Sequence, residues 1–104
     1  MKTFSQKTAW GTTVDGLFLT NLQTVQVFRM EDGFPEPWCT AACNVPGLLI
    51  GEVAIKNYAE NEGILDTLIS VGIVKAPHRY VWQGHALVPV CILNKDVAQE
   101  YMRG

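Results

Sequence analysis

The chain predicts an α+β fold: a mainly antiparallel, curved sheet of about five to six strands, packed by one central helix over about residues 61–72, with a short helix at the C-terminus. Three observations carry this expectation. Short runs rich in β-branched and aromatic residues alternate with Gly- and Pro-containing turns on both sides of the middle of the chain. Only one long stretch, "ENEGILDTLISVGI" at 60–73, has sustained helical spacing of its apolar residues. The 104 residues fit a single α+β domain, 1–104, and 48% hydrophobic against 17% charged residues is the composition of a chain with one real core.

The strands follow in order. "KTAWGTTV" and "LFLTNL" flank Asp15-Gly16, a dipeptide that reads as a two-residue hairpin turn. "TVQVFRM" at 24–30 is the next strand. It runs into "EDGFPEPW" at 31–38, where Asp32-Gly33 and two prolines predict a stiff turn or an edge excursion. "WCTAACNV" at 38–45 is a further strand, closed by Pro46-Gly47. In "LLIGEVAIKNY", Val53 and Ile55 alternate with Glu52, Ala54 and Lys56, which predicts one buried and one wet face. "RYVWQ" and "HALVPVCIL" flank Gln83-Gly84 as a second hairpin. Apolar residues pointing both ways in "HALVPVCIL" predict burial on both faces, and Pro89 within it predicts an edge or a bulge.

On a helical wheel, Ile64, Leu65, Leu68, Ile69 and Val71 share one arc. A start at Asn57, with Glu60 completing a capping box, would place Asn61 on that buried arc and Gly63 mid-helix. A start one turn later makes Asn61 the N-cap and moves Gly63 into the first turn. The later start is the expectation. Gly72 then suits the left-handed residue past the helix end, with Ile73 folding back on Leu68. In "NKDVAQEYMRG", Val97/Tyr101 and Ala98/Met102 lie four apart, predicting a short helix that opens at Asn94 or Asp96.

Composition then excludes several functions. Eight basic and ten acidic residues give a net charge of -2, and the basic residues are scattered singly, so no basic stripe exists to meet nucleic acid. The longest apolar run, "ALVPVCIL" at 86–93, is too short to span a bilayer, and "MKTFSQKTAWGTT" lacks the apolar segment of a signal peptide. Three cysteines without a framework spacing point to a reduced, cytoplasmic protein.

No cofactor and no metal are expected. Cys39 and Cys43 are four apart and His78 and His85 seven apart, which fits neither half of a zinc pattern. The P-loop and dinucleotide-binding glycine patterns are missing, and Glu60 and Glu62 would repel an anion from the start of the helix. Glu62 and Asp66 read as a solvated helix face rather than an acid/base pair.

The aromatic residues give the positive expectation. Tyr80 and Trp82 alternate onto one face of "RYVWQ", and one short helix cannot cover both faces of a large sheet. An exposed aromatic face predicts a non-catalytic protein that binds another protein, or a second copy of itself, as an accessory or inhibitor or as a homodimer. Tyr58, Tyr80, Trp82 and His85 are the candidate surface. The rival expectation is a small-molecule module or minor enzyme, with a pocket between helix and sheet lined by Glu52, Asn61, His78 and His85.

Overall fold

The computed structural model describes residues 2–7, 13–21, 24–43, 45–57 and 62–102. It is a small α+β fold with antiparallel sheets and two helices, but the strands form two four-stranded sheets rather than one curved sheet around a central helix. The first sheet is a meander of β1 (Phe4–Lys7), β2 (Thr13–Asn21), β3 (Gln26–Glu31) and β4 (Phe34–Thr40), in that order. The second joins β5 (Ala42–Cys43), β6 (Glu52–Ile55), β7 (Arg79–Gln83) and β8 (Ala86–Ile92) in the order β5-β6-β8-β7. Helices α1 (Ile64–Ser70) and α2 (Lys95–Glu100) complete the described chain.

The division occurs at Ala41. Its N–H donates to Val25 O (3.0 Å) beside the first sheet, and its carbonyl accepts from Lys56 N (2.7 Å) beside the second. One residue with no side chain beyond Cβ, fully buried, thus hands the chain from one sheet to the other. The expected continuous strand at 38–45 is therefore cut in two, with Cys39 in β4 and Cys43 in β5.

The Asp15-Gly16 turn is also corrected. Both residues lie inside β2. Phe4 pairs with Leu17 but Gln6 with Val14, so β2 carries one extra residue at this point, a bulge. Gly16 has φ 75, the left-handed conformation such a bulge needs and that glycine adopts without a Cβ penalty. Asp32 and Gly33, with φ 51 and 81, do form a two-residue hairpin loop, and β4 behind them is a sheet edge carrying Pro35 and Pro37.

A common core joins the two sheets. Leu17, Leu19, Val25 and Val27 of the first meet Val53, Ile55 and Cys91 of the second, with Ile64, Leu65 and Leu68 of α1 and Ala98 and Tyr101 at α2. Each Val, Leu or Ile among them contributes about 1.5–3 kcal/mol when fully buried. Phe4 meets Tyr101 edge-on with centroids 5.7 Å apart, which fastens the last helix to the first strand.

Helix α1 is shorter than expected and starts later. Gly63, with φ 92, is its N-cap, and an added Cβ there would lie 3.2 Å from Gln6 Nε2. The capping oxygen comes from Asn57, whose Oδ1 accepts from Gly63 N (3.1 Å) and Leu65 N (3.0 Å). Asn61 lies outside the described residues. The C-terminus matches the expectation. Gly72 is left-handed (φ 83), its N–H reaches Ile69 O, and Ile73 N reaches Leu68 O at 3.0 Å. Helix α2 opens at Asn94, whose side chain accepts from Val97 N.

Strand β6 departs from its expected alternation: all four residues are buried. Val53 and Ile55 face the common core. Ala54, on the opposite face, packs in a second cluster with Val45, Val88 and Val90, flanked by Cys43, Leu48, Val81 and Ala86. The segment after β5 thus roofs this face of the second sheet. Strand β8 is interior rather than an edge, and buried Pro89 is tolerated because β6 pairs only with Val90 to Ile92. The proline's missing N–H falls beyond the end of that ladder.

Candidate binding surface

Two arrangements of chemically distinctive side chains occur on the second sheet, one on each face. The first follows from the β7–β8 hairpin. Its loop residues are Gly84 and His85, one position on from the expected Gln83-Gly84, and Gly84 takes φ 61 as the first residue of such a loop. This register sets Tyr80 opposite Pro89 and Trp82 opposite Leu87. The face they share is the one toward α1. Tyr80 is 56%, Trp82 71% and Leu87 50% exposed, so three large apolar side chains form one uncovered cluster. Beside it a groove of about 370 Å³ runs between sheet and helix, lined by Asn57, Leu65, Tyr80, Ala86, Leu87 and Pro89.

The other tryptophans differ. Trp38 is half-buried against the core, with the Arg29 guanidinium 5.3 Å from its ring centre. Trp10 lies outside the described residues, as does Tyr58. His85 is exposed in the hairpin loop, at the end of β7 away from Arg79. Of the four candidate surface residues, Tyr80 and Trp82 are therefore side by side and His85 is close in the chain. Leu87 and the groove were not read from sequence, although the pairing of Trp82 with Leu87 follows once the hairpin register is known.

The second arrangement lies on the roofed face. Glu52 has a side chain only 2% exposed, and its two oxygens accept from Arg79, His78 and Leu49 N. Arg79 donates Nε to Oε2 (3.0 Å) and Nη2 to Oε1 (2.6 Å), a two-point contact. His78 Nε2 donates to Oε2 at 2.5 Å, and Leu49 N donates to Oε1 at 2.8 Å. Arg79 Nη2 also reaches Gly47 O at 3.2 Å. The hydrogen bonds from Arg79, with that from Leu49, hold the Glu52 carboxyl down at about 2, and Glu52 in turn raises the Arg79 guanidinium.

This cluster is a clamp on the 45–51 loop. A carboxylate held at about 2 is a poor proton acceptor at neutral pH, and its oxygens are occupied by structural donors. Glu52 and His78 are brought together, as the pocket expectation requires. However, they share the face turned away from α1, His85 is at the far end of β7, and the groove of about 370 Å³ between helix and sheet has neither Glu52, His78 nor His85 in its lining. The groove that does exist there has Asn57 as its one amide, and that side chain's oxygen already caps α1.

Among the described residues, no three His, Cys, Asp or Glu side chains gather as a metal site, and no helix is long and apolar enough to cross a membrane. Burial pushes the Cys91 thiol up to about 11, so it behaves as a small hydrophobe in the core. No family model matches the chain, and neither a curated protein nor a solved structure is detectably similar to it.

Proposed function

We propose that the protein acts by non-covalent protein–protein binding through the α1-side face of β7 and β8, as a non-catalytic accessory or inhibitor module or as a homodimer. The observation that carries this is the exposure, side by side, of Tyr80, Trp82 and Leu87. Aromatic side chains are costly to leave in water and are enriched at the centre of protein interfaces. Arg79 of the same strand is anchored by its two-point contact with Glu52, which ties the strand carrying the rings to β6. The groove lies within the size range of small-ligand sites, but its lining offers too few convergent polar groups to orient a small molecule.

The test uses the tagged protein in its native host. Wild type and a Tyr80→Ala/Trp82→Ala variant are compared by size-exclusion chromatography of clarified extract. Wild type is expected in an assembly heavier than the lone chain, and the variant at the size of the lone chain with an unchanged melting temperature. Coincident elution of the two proteins, both in extract and with the purified chains at high concentration, would remove this face as the binding surface.

A further inference from the structure

We infer that the partner of this face includes a second copy of the same chain, joined by antiparallel pairing of β7 with its counterpart across a two-fold axis at Val81. The inference rests on the binding role proposed for the same face and names its partner.

The first support is a contrast between strand edges. Edge strands in monomeric proteins carry devices against pairing, such as proline, bulges and charge. Strand β4, the edge of the first sheet, has Pro35, Pro37 and Glu36, and its ladder with β3 shifts register between Val27 and Phe28. At the opposite edge, β1 lies against both helices: the Thr67 hydroxyl of α1 donates to Gln6 Oε1, and Phe4 meets Tyr101 at the end of α2. Strand β5 is two residues long. Among the described residues, β7 is the remaining edge; Pro77 and a doubling of His78 and Arg79 against Val90 lie at its start, but within "RYVWQ" there is no proline and the ladder to β8 keeps one register. Its one charge, Arg79, is engaged by Glu52 on the roofed face.

The second support is the direction of the main chain. In a two-residue hairpin the residues flanking the loop exchange both hydrogen bonds, and the pattern alternates outwards from there. Gln83, Val81 and Arg79 therefore spend their N–H and C=O groups on β8. Those of Tyr80 and Trp82 point to the open edge.

The third support is that "RYVWQ" complements itself. With the axis at Val81, Tyr80 faces the partner's Trp82, and each such pair exchanges both N–H···O=C bonds. Arg79 falls opposite the partner's Gln83, so no like charges oppose. Both aromatic pairs lie on one face, next to the mouth of the groove. The alternative registers, shifted by one residue, would put the rings of the two copies on opposite faces of the joined sheet.

The area decides the strength. A fully exposed ring offers about 150–250 Å², so at these exposures the two rings and Leu87 supply roughly 300–400 Å² per copy, well below the ~800 Å² per partner of stable complexes. Association is therefore expected to be reversible and weaker than that of a standard-size interface.

Sedimentation equilibrium on the purified full chain, from about 1 to about 500 µM, tests this. Wild type is expected to rise toward twice the chain mass across that range. Trp82→Pro, which removes an outward N–H and leaves the β8 ladder intact, is expected to stay at the single-chain mass. So is Tyr80→Lys/Trp82→Lys, which opposes like charges. Tyr80→Lys/Trp82→Glu is expected to associate at low salt and separate near ~1 M salt. Should Trp82→Pro unfold, the two charged variants still decide.

A wild type that remains a single chain throughout overturns the inference, as does a dimer indifferent to all three variants. Failure of the Lys/Glu variant alone to associate overturns the register. If purified wild type is a single chain while the extract shows a heavier assembly that needs Tyr80 and Trp82, self-pairing fails and protein binding stands. If the extract also shows a lone chain, both fail.

Discussion

The two faces of the second sheet are built from the same four strands and meet water in opposite ways. One face carries Ala54, Val88 and Val90 under a roof of Val45 and Leu48, and the roof is tied down by a buried carboxylate. The other packs α1 along β6 and β8 and stops short of β7, leaving Tyr80, Trp82 and Leu87 in solvent. The chain is long enough to cover the outer hairpin, since it folds a loop over the opposite face of the same sheet. That it shelters one face and not the other gives the exposed aromatic cluster its functional weight.

The strongest way to break the contrast is to release the roof. Glu52→Ala strips the acceptor from Arg79, His78 and Leu49 N together, and leaves donors facing a void on an otherwise apolar face. Thermal unfolding is expected to show a fall in melting temperature larger than that from Asn57→Ala, Val88→Ala or Trp82→Ala. Amide exchange at Leu49 to Gly51 is expected to accelerate with it.

Acid should reproduce part of this without mutation. The carboxyl is held at about 2 in the folded chain against an ordinary value of 4.5, so the unfolded chain takes up the proton first. The stabilisation from Glu52 is complete above about 4.5 and is lost progressively as pH falls toward about 2. Unfolding midpoints measured across that window should fall more steeply for wild type than for Glu52→Gln. Parallel curves would show that the clamp adds no acid dependence.

A smaller effect is expected on the α1 side. Asn57→Ala removes the oxygen that serves Gly63 N and Leu65 N, at a cost of about 1 kcal/mol by chemical denaturation. Asn57→Asp should retain most of the stability, since a carboxylate accepts the same bonds and suits a helix N-terminus.

These elements also show how far the sequence could be read. Apolar periodicity located α1, α2, the β7–β8 hairpin and the shared face of Tyr80 and Trp82, because each depends on neighbours within a few residues. What escaped was non-local. A left-handed glycine serves a hairpin or a bulge equally, and Asp15-Gly16 became a bulge because the partner strand lies upstream. Asn57 caps a helix that begins seven residues later, across a connection that no wheel diagram spans. Glu52 alternates like a wet residue and is buried by a histidine and an arginine 26 and 27 positions away. The switch at Ala41 leaves no pattern in composition at all.

The contrast is sharpest in the substitution expected to do least to the fold. Trp82 is 71% exposed and belongs to neither hydrophobic cluster, so Trp82→Ala should change the free energy of unfolding by less than about 0.5 kcal/mol. Val88 lies on the same hairpin, fully buried under the roof, and Val88→Ala should cost more, because it opens a void inside packed surroundings. Denaturant unfolding of the two variants at a concentration low enough to keep the chain alone measures the difference. A large loss from Trp82→Ala under those conditions would mean that the ring supports the subunit itself, and the open face would lose its claim to be a surface kept for something else.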